Sequence, residues 1–132
     1  MVNFEGGPCE KKRVSACGAG NDYVAVAPDG RIYPCHQFVG NDDFVLADLN
    51  RWDGLCKPVL NEKIRQKFQG CNIHTKPACR ECFAKYYCSG GCAANNYNLN
   101  GDINKPVETM CGIIRKRTEA ALAVNALERN GE

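Results

Sequence analysis

The apolar and polar positions of the chain spell out their clearest element between residues 22 and 35. Tyr23-Val-Ala-Val-Ala27 is a short run rich in β-formers, and Arg31-Ile-Tyr-Pro-Cys35 is its partner. Pro28-Asp29-Gly30 between them puts proline at the second turn position and glycine at the fourth, where a positive φ is wanted. Pro34 cannot donate to a ladder, so the second strand should lie at an edge or stop there. Residues 36–57 read as loop around a short Phe44-Val-Leu-Ala47 run, with Asn41-Asp42-Asp43 as a solvated turn. From Val59 to Gln69 the apolar residues Leu60, Ile64 and Phe68 recur every four positions, and Gly70 is placed to end a helix. Cys79–Cys92 suggests short helical turns alternating with tight loops, and Asn98-Leu-Asn-Gly101 is a turn signal. After Pro106 the pattern predicts a long helix over 107–129, with Ile113, Ile114, Ala121, Val124 and Leu127 toward one side. Residues 1–16 show no periodicity; Gly6-Gly7-Pro8, then Lys11, Lys12 and Arg13, read as a linker with a solvated basic turn. The expected class is α+β: a β-hairpin, short helices and a long C-terminal helix.

Composition changes this picture in one respect. Ten cysteines in 132 residues approach the density of a disulfide scaffold or a metal framework. Charge is nearly balanced, with 17 basic against 15 acidic residues, so no strong field points to nucleic acid or to an anionic membrane. No apolar run approaches a membrane span, and Met1-Val-Asn-Phe-Glu5 has no signal-peptide character. The expectation is a reducing cytoplasm, where paired thiols more often mean metal than disulfide. Large apolar side chains are spread thinly, so bound metal should do part of the work of a core.

The thiols are not scattered. Cys79, Cys82, Cys88 and Cys92 follow the spacing C-x2-C-x5-C-x3-C within fourteen residues. Two residues between cysteines let both sulfurs bend toward one centre, and Gly90-Gly91 lets the backbone approach and turn its amides toward thiolate. Cys111 follows at what reads as the start of a helix, where dipole and amides favour thiolate. Cys17 and Cys35 flank the hairpin, with twelve residues from Cys17 to Gly30 and four from Gly30 to Cys35. Thiolates at this density suit iron–sulfur clusters or zinc.

The full spacing of Cys17, Gly30, Cys35, Cys79, Cys82, Cys88, Cys92 and Cys111 resembles the signature of SPASM domains, over about residues 9–120. These are the C-terminal auxiliary-cluster domains of radical S-adenosylmethionine peptide-modifying enzymes. Cys17-Gly-Ala-Gly20 and Tyr33-Pro-Cys35-His-Gln-Phe38 further resemble the maturases of SCIFF peptides, which install sactionine thioether crosslinks in ribosomally made peptides. The resemblance implies two 4Fe-4S clusters around which the fold is organised. Cys17, Cys35 and Cys92 would hold auxiliary cluster I, and Cys79, Cys82, Cys88 and Cys111 auxiliary cluster II. Many relatives carry a further cysteine before the glycine, whereas residues 18–29 contain none. Cluster I would then keep an open iron for a substrate thiolate, unless Cys9 completes it. Residues 1–16 would be a linker from an upstream radical S-adenosylmethionine barrel, and 17–132 the auxiliary-cluster domain. The expected partners are that barrel and a cysteine-rich precursor peptide.

The reaction loop of such enzymes is Cys-x3-Cys-x2-Cys. Cys88 and Cys92 match its first half, but position 95 is Asn, so this stretch should be inactive alone and S-adenosylmethionine belongs to the full-length enzyme. The alternative is a zinc-ribbon-like binding module with Cys79, Cys82, Cys88 and Cys92 around one tetrahedral ion. Zinc leaves the positions of Cys17, Gly30, Cys35 and Cys111 without a reason. Cys56 and Cys71 lie outside the signature and read as semi-buried thiols. His36 reads as structural, Trp52 as packing, and Tyr86 and Tyr87 as rings that shield a cluster from water.

Overall fold

A computed structural model describes residues 10–51 and 60–130 of the chain. Cys9, Trp52 and Cys56 lie outside the described residues. The chain packs as two compact units, Cys17–Cys71 and a second made of described residues 10–16 and 72–130. None of the described helices is long and apolar enough to cross a membrane.

The Cys17–Cys71 unit is built on the hairpin. Strands β1 (Ala25–Val26) and β2 (Arg31–Tyr33) pair antiparallel, Ala25 opposite Tyr33 and Val26 opposite Ile32. The turn closes by Gly30 N–H donating to the Ala27 carbonyl at 2.9 Å, with Gly30 at φ +86°. Both strands are shorter than the apolar runs suggested. Pro34 stops β2, as its missing N–H requires, yet β2 is the central strand: β3 (Ala47–Asp48) pairs on its other side, Ile32 opposite Ala47. The Phe44–Ala47 run thus divides between a 3₁₀ turn over Asp42–Phe44 and this third strand.

Helix α2 (Glu62–Gln69) starts later than the four-residue repeat implied. Asn61 caps it, its side chain accepting from Ile64 N–H, and its own N–H donates to the Leu46 carbonyl at 2.7 Å. Leu60 therefore precedes the helix and is exposed, while Phe68 is buried. The rings of Phe38, Phe44 and Phe68 meet at centroid distances of 4.3, 5.5 and 6.0 Å, and this aromatic trio forms the unit's core together with the buried cluster of Ile32, Leu46 and Ala47.

The second unit is helical. Helix α1 (Glu10–Ser15) forms where the sequence has no periodicity, held by packing on α4 (Lys85–Cys88) and by Ile73 N–H on the Val14 carbonyl at 3.1 Å. Helices α3 (Pro77–Arg80), α5 (Ala93–Asn100) and α6 (Glu108–Asn130) complete it. Helix α6 matches the expected long helix, but its inner side is Ile114, Thr118, Ala121 and Asn125, whereas Ile113, Val124 and Leu127 are exposed. A small antiparallel sheet with short helices and one long C-terminal helix is an α+β architecture, as expected.

Candidate metal centre

The sequence folds Cys79–Cys92 as short helical turns that each carry a cysteine: Cys79 within α3, Cys88 at the end of α4 and Cys92 at the cap of α5. Asn72 starts it: its side chain accepts from the N–H groups of His74 (2.8 Å) and Thr75 (3.1 Å), a local turn that Pro77 converts into α3. Cys79 sits in α3, and Cys82 N–H returns to the Cys79 carbonyl at 3.1 Å. Cys88 ends α4. The next three residues, Ser89, Gly90 and Gly91, all take positive φ (58°, 80° and 74°), so the backbone reverses before Cys92 takes the cap position of α5. Two of those three are glycine because only glycine holds that conformation without cost.

These turns and the first turn of α6 enclose a cavity of ≈180 Å³ whose wall carries Cys79, Cys82, Cys88, Cys92 and Cys111. A single water needs roughly 10–15 Å³ on the same measure, so the space suits something larger. Val107, Met110 and Ile114 supply apolar wall, Lys85 and Arg115 are its cations, and no carboxylate or imidazole is among its lining residues. Among the described residues no three donors converge as a single metal ion requires; the thiols surround a space instead. All eight described cysteines are thiols rather than disulfides. A soft, all-sulfur donor set around a cavity of this size fits an iron–sulfur cluster.

Burial pushes the Cys79 thiol up; Cys88, Cys111 and Cys82 push it further, and only Lys76 pulls it down. Burial likewise raises Cys111, with Cys88, Glu108 and Cys82 adding to the rise and Arg115 opposing it. Cys79, Cys82, Cys88 and Cys111 thus feel one another's charge, and holding four thiolates together calls for a positive centre among them. Cys92, which the resemblance assigns to cluster I, lies in the wall of the same cavity.

The other unit holds Cys17 and Cys35. The Cys17–Tyr23 loop folds tightly on itself: Gly20 N–H donates to the carbonyls of Tyr23 (3.0 Å) and Pro34 (2.9 Å), and a side chain at Gly18 would collide with Asp22. The Tyr23 hydroxyl comes within hydrogen-bonding reach of both sulfurs; partial burial and then Cys35 and Cys17 push it up to about 12. The hairpin therefore brings Cys35 and Cys17 to one phenol. The Tyr33 hydroxyl in the same unit is buried without a hydrogen-bond partner.

Several readings change. Tyr86 and Tyr87 are exposed and do not line the cavity; Tyr86 faces His74 with ring centroids 6.5 Å apart. Val107, Met110 and Ile114, around the start of α6, line the cavity in their place. His36 is exposed, and Cys71 is half-buried as expected. Sequence reasoning missed Lys76 and Asn96, both buried and both donating to the Gly90 carbonyl, at 2.8 and 3.4 Å. Nothing in the sequence separates Lys76 from a surface lysine.

A family model of the SPASM iron-sulfur cluster-binding domain matches residues 17–83, just over half of the chain. The match takes in Cys17, Cys35, Cys79 and Cys82 and ends before Cys88. An uncharacterized protein of Archaeoglobus fulgidus is 32% identical over 90 residues, which is 67% of this chain and 20% of that protein. The chain thus spans about a fifth of that curated relative's length. The chain belongs to the SPASM family of iron–sulfur cluster-binding domains.

Proposed function

From that membership we propose that the chain is the auxiliary-cluster part of a radical S-adenosylmethionine peptide-modifying enzyme, similar to the SCIFF maturases that form thioether crosslinks. A catalytic barrel upstream of residues 1–16 supplies the Cys-x3-Cys-x2-Cys loop. A cysteine-rich precursor peptide is the partner. One 4Fe-4S cluster belongs to Cys79, Cys82, Cys88 and Cys111, and a second to the site of Cys17 and Cys35. The observation that carries the reading is the five-cysteine cavity, where four thiols act on one another and no carboxylate or imidazole lines the wall.

When bound, such clusters supply one-electron transfer, and an iron without a fourth protein ligand binds a thiolate. The chain's own residues fix the cage. The positive-φ turn at Ser89–Gly91 folds the cysteine run around the cavity, and Val107, Met110 and Ile114 limit water. The absence of cysteine from residues 18–29 favours an open iron at the Cys17–Cys35 site, which would bind a cysteine of the peptide before crosslinking.

Anaerobic reconstitution tests the reading. The chain is expected to hold roughly eight irons and a similar number of acid-labile sulfides. Cys82→Ala should remove one paramagnetic signal and Cys35→Ala the other, and a cysteine-containing peptide should shift the signal that Cys35→Ala removes. Stoichiometric zinc with negligible sulfide under iron-replete, anaerobic conditions would sink the proposal in favour of a zinc module. A Cys9→Ala variant that loses the Cys35-dependent signal would close the open iron.

A further inference from the structure

Lys76 is 1% exposed, and a lysine is almost never buried to this degree without a charged partner. Its ammonium donates to the Gly90 carbonyl at 2.8 Å, a neutral acceptor, and among the described residues it meets no carboxylate. The surroundings leave it little room. A Cβ built on Gly90 would stand 3.2 Å from Nζ and 3.3 Å from Cδ, so the side chain lies against the Gly90 backbone. Gly90 is itself part of the cavity wall, between Cys88 and Cys92. At its other end, the Lys76 carbonyl accepts from Cys79 N–H at 2.9 Å. One residue thus spans from the first cysteine of the cage to the turn joining Cys88 and Cys92.

A buried ammonium with one neutral hydrogen bond leaves an uncompensated charge, which a low-dielectric interior disfavours. The cavity behind Gly90 carries five cysteines in its wall, and their thiolates would bring negative charge there when they hold a cluster. Lysine and thiolate cage are each costly alone and offset one another together.

We propose that Lys76 is a positioning residue for the cavity's cluster: its fixed positive charge holds the anionic cluster in place and favours its more negative, reduced state. This rests on the proposed function. A one-electron uptake adds one negative charge to the cluster, while the donor, dithionite in the test, is oxidised. A buried cation close to that charge raises the reduction potential, and removing it lowers the potential.

The experiment is an anaerobic redox titration of the reconstituted chain with dithionite, followed by electron paramagnetic resonance. Iron and sulfide are assayed on the same samples. Lys76→Gln keeps a donor for the Gly90 carbonyl and removes the charge; Lys76→Met removes both; Lys76→Arg keeps the charge. Lys76→Gln and Lys76→Met are expected to shift the one-electron equilibrium of the Cys82-dependent signal toward the oxidised form by about tenfold, or 59 mV. The Cys35-dependent signal should stay in place, and Lys76→Arg should leave both unchanged. If the neutral variants lose that cluster while Lys76→Arg retains it, the charge is needed for holding and the proposal stands. If Lys76→Gln assembles both signals at unchanged midpoints, or Lys76→Arg loses the cluster as readily as Lys76→Gln, Lys76 is a clamp for Gly90 only and the proposal falls. A wild-type chain without acid-labile sulfide would instead refute the proposed function.

Discussion

Gly90→Ala and Gly101→Ala differ in one physical cost. Both glycines sit at positive φ, +80° and +72°. An L-residue in that region costs roughly 1–2 kcal/mol, a cost that both variants bear. Gly101, at the end of α5, has nothing within 4 Å of a built Cβ. Gly90 has Lys76 Nζ at 3.2 Å, Lys76 Cδ at 3.3 Å and Ile73 Cγ2 at 3.4 Å. Lys76 and Ile73 are 1% and 0% exposed, so neither can swing into solvent. Overpacking a fixed neighbourhood by one methyl costs about 1–3 kcal/mol. Gly101→Ala should therefore lose about 1–2 kcal/mol and Gly90→Ala about 2–5 kcal/mol, the difference being the crowding alone. Both variants belong to the same unit, so urea denaturation followed by far-ultraviolet circular dichroism, in one metal state and with matched slopes, reads the difference directly. Equal losses would show that Lys76 and Ile73 yield to a methyl group, and the account of Lys76 as rigidly held would fail with it.

Three further outcomes follow from burial. Phe68→Ala, which removes the ring that meets both Phe38 and Phe44, should cost about 3–5 kcal/mol by calorimetry; a loss below about 1 kcal/mol would mean that the trio is not the core. Tyr33→Phe deletes a buried hydroxyl that has no partner, so the metal-free chain should be unchanged or more stable by up to about 1–3 kcal/mol, and a clear destabilisation would reveal an acceptor at that hydroxyl. The Cys79 and Cys111 thiols are raised by burial, so the native metal-free chain holds their protons more tightly than the unfolded one. The stability they contribute is present below the ordinary thiol range and lost as pH rises through their raised values, so the urea midpoint should fall with pH there. The double variant Cys79→Ser, Cys111→Ser should flatten that slope, and a midpoint rising with pH would contradict the assignment.

The sequence by itself determined whatever local rules decide. Pro28-Asp29-Gly30 set a hairpin because proline fixes φ and glycine accepts a positive φ without help from distant residues, and the long helix after Pro106 followed from apolar positions recurring along it despite Gly112. The cysteine spacing carried the family, since a sulfur framework constrains sequence positions directly. Tertiary structure decided everything that depends on what lies opposite. Which side of α6 faces inward was settled by Thr118 and Ile114 meeting the rest of their unit, against a sequence pattern that offered Val124 and Leu127 equally well. The third strand at Ala47–Asp48 exists because β2 has a second edge to fill, and two residues carry no pattern of their own. Tyr86 and Tyr87, just before Cys88 in the chain, turned out to be exposed and outside the cavity lining, although Cys88 in the same turn α4 lines it. Lys76 shows the limit most sharply: a charge reads as surface in any sequence, and only the packing of its side chain against Gly90 places it behind the cavity wall.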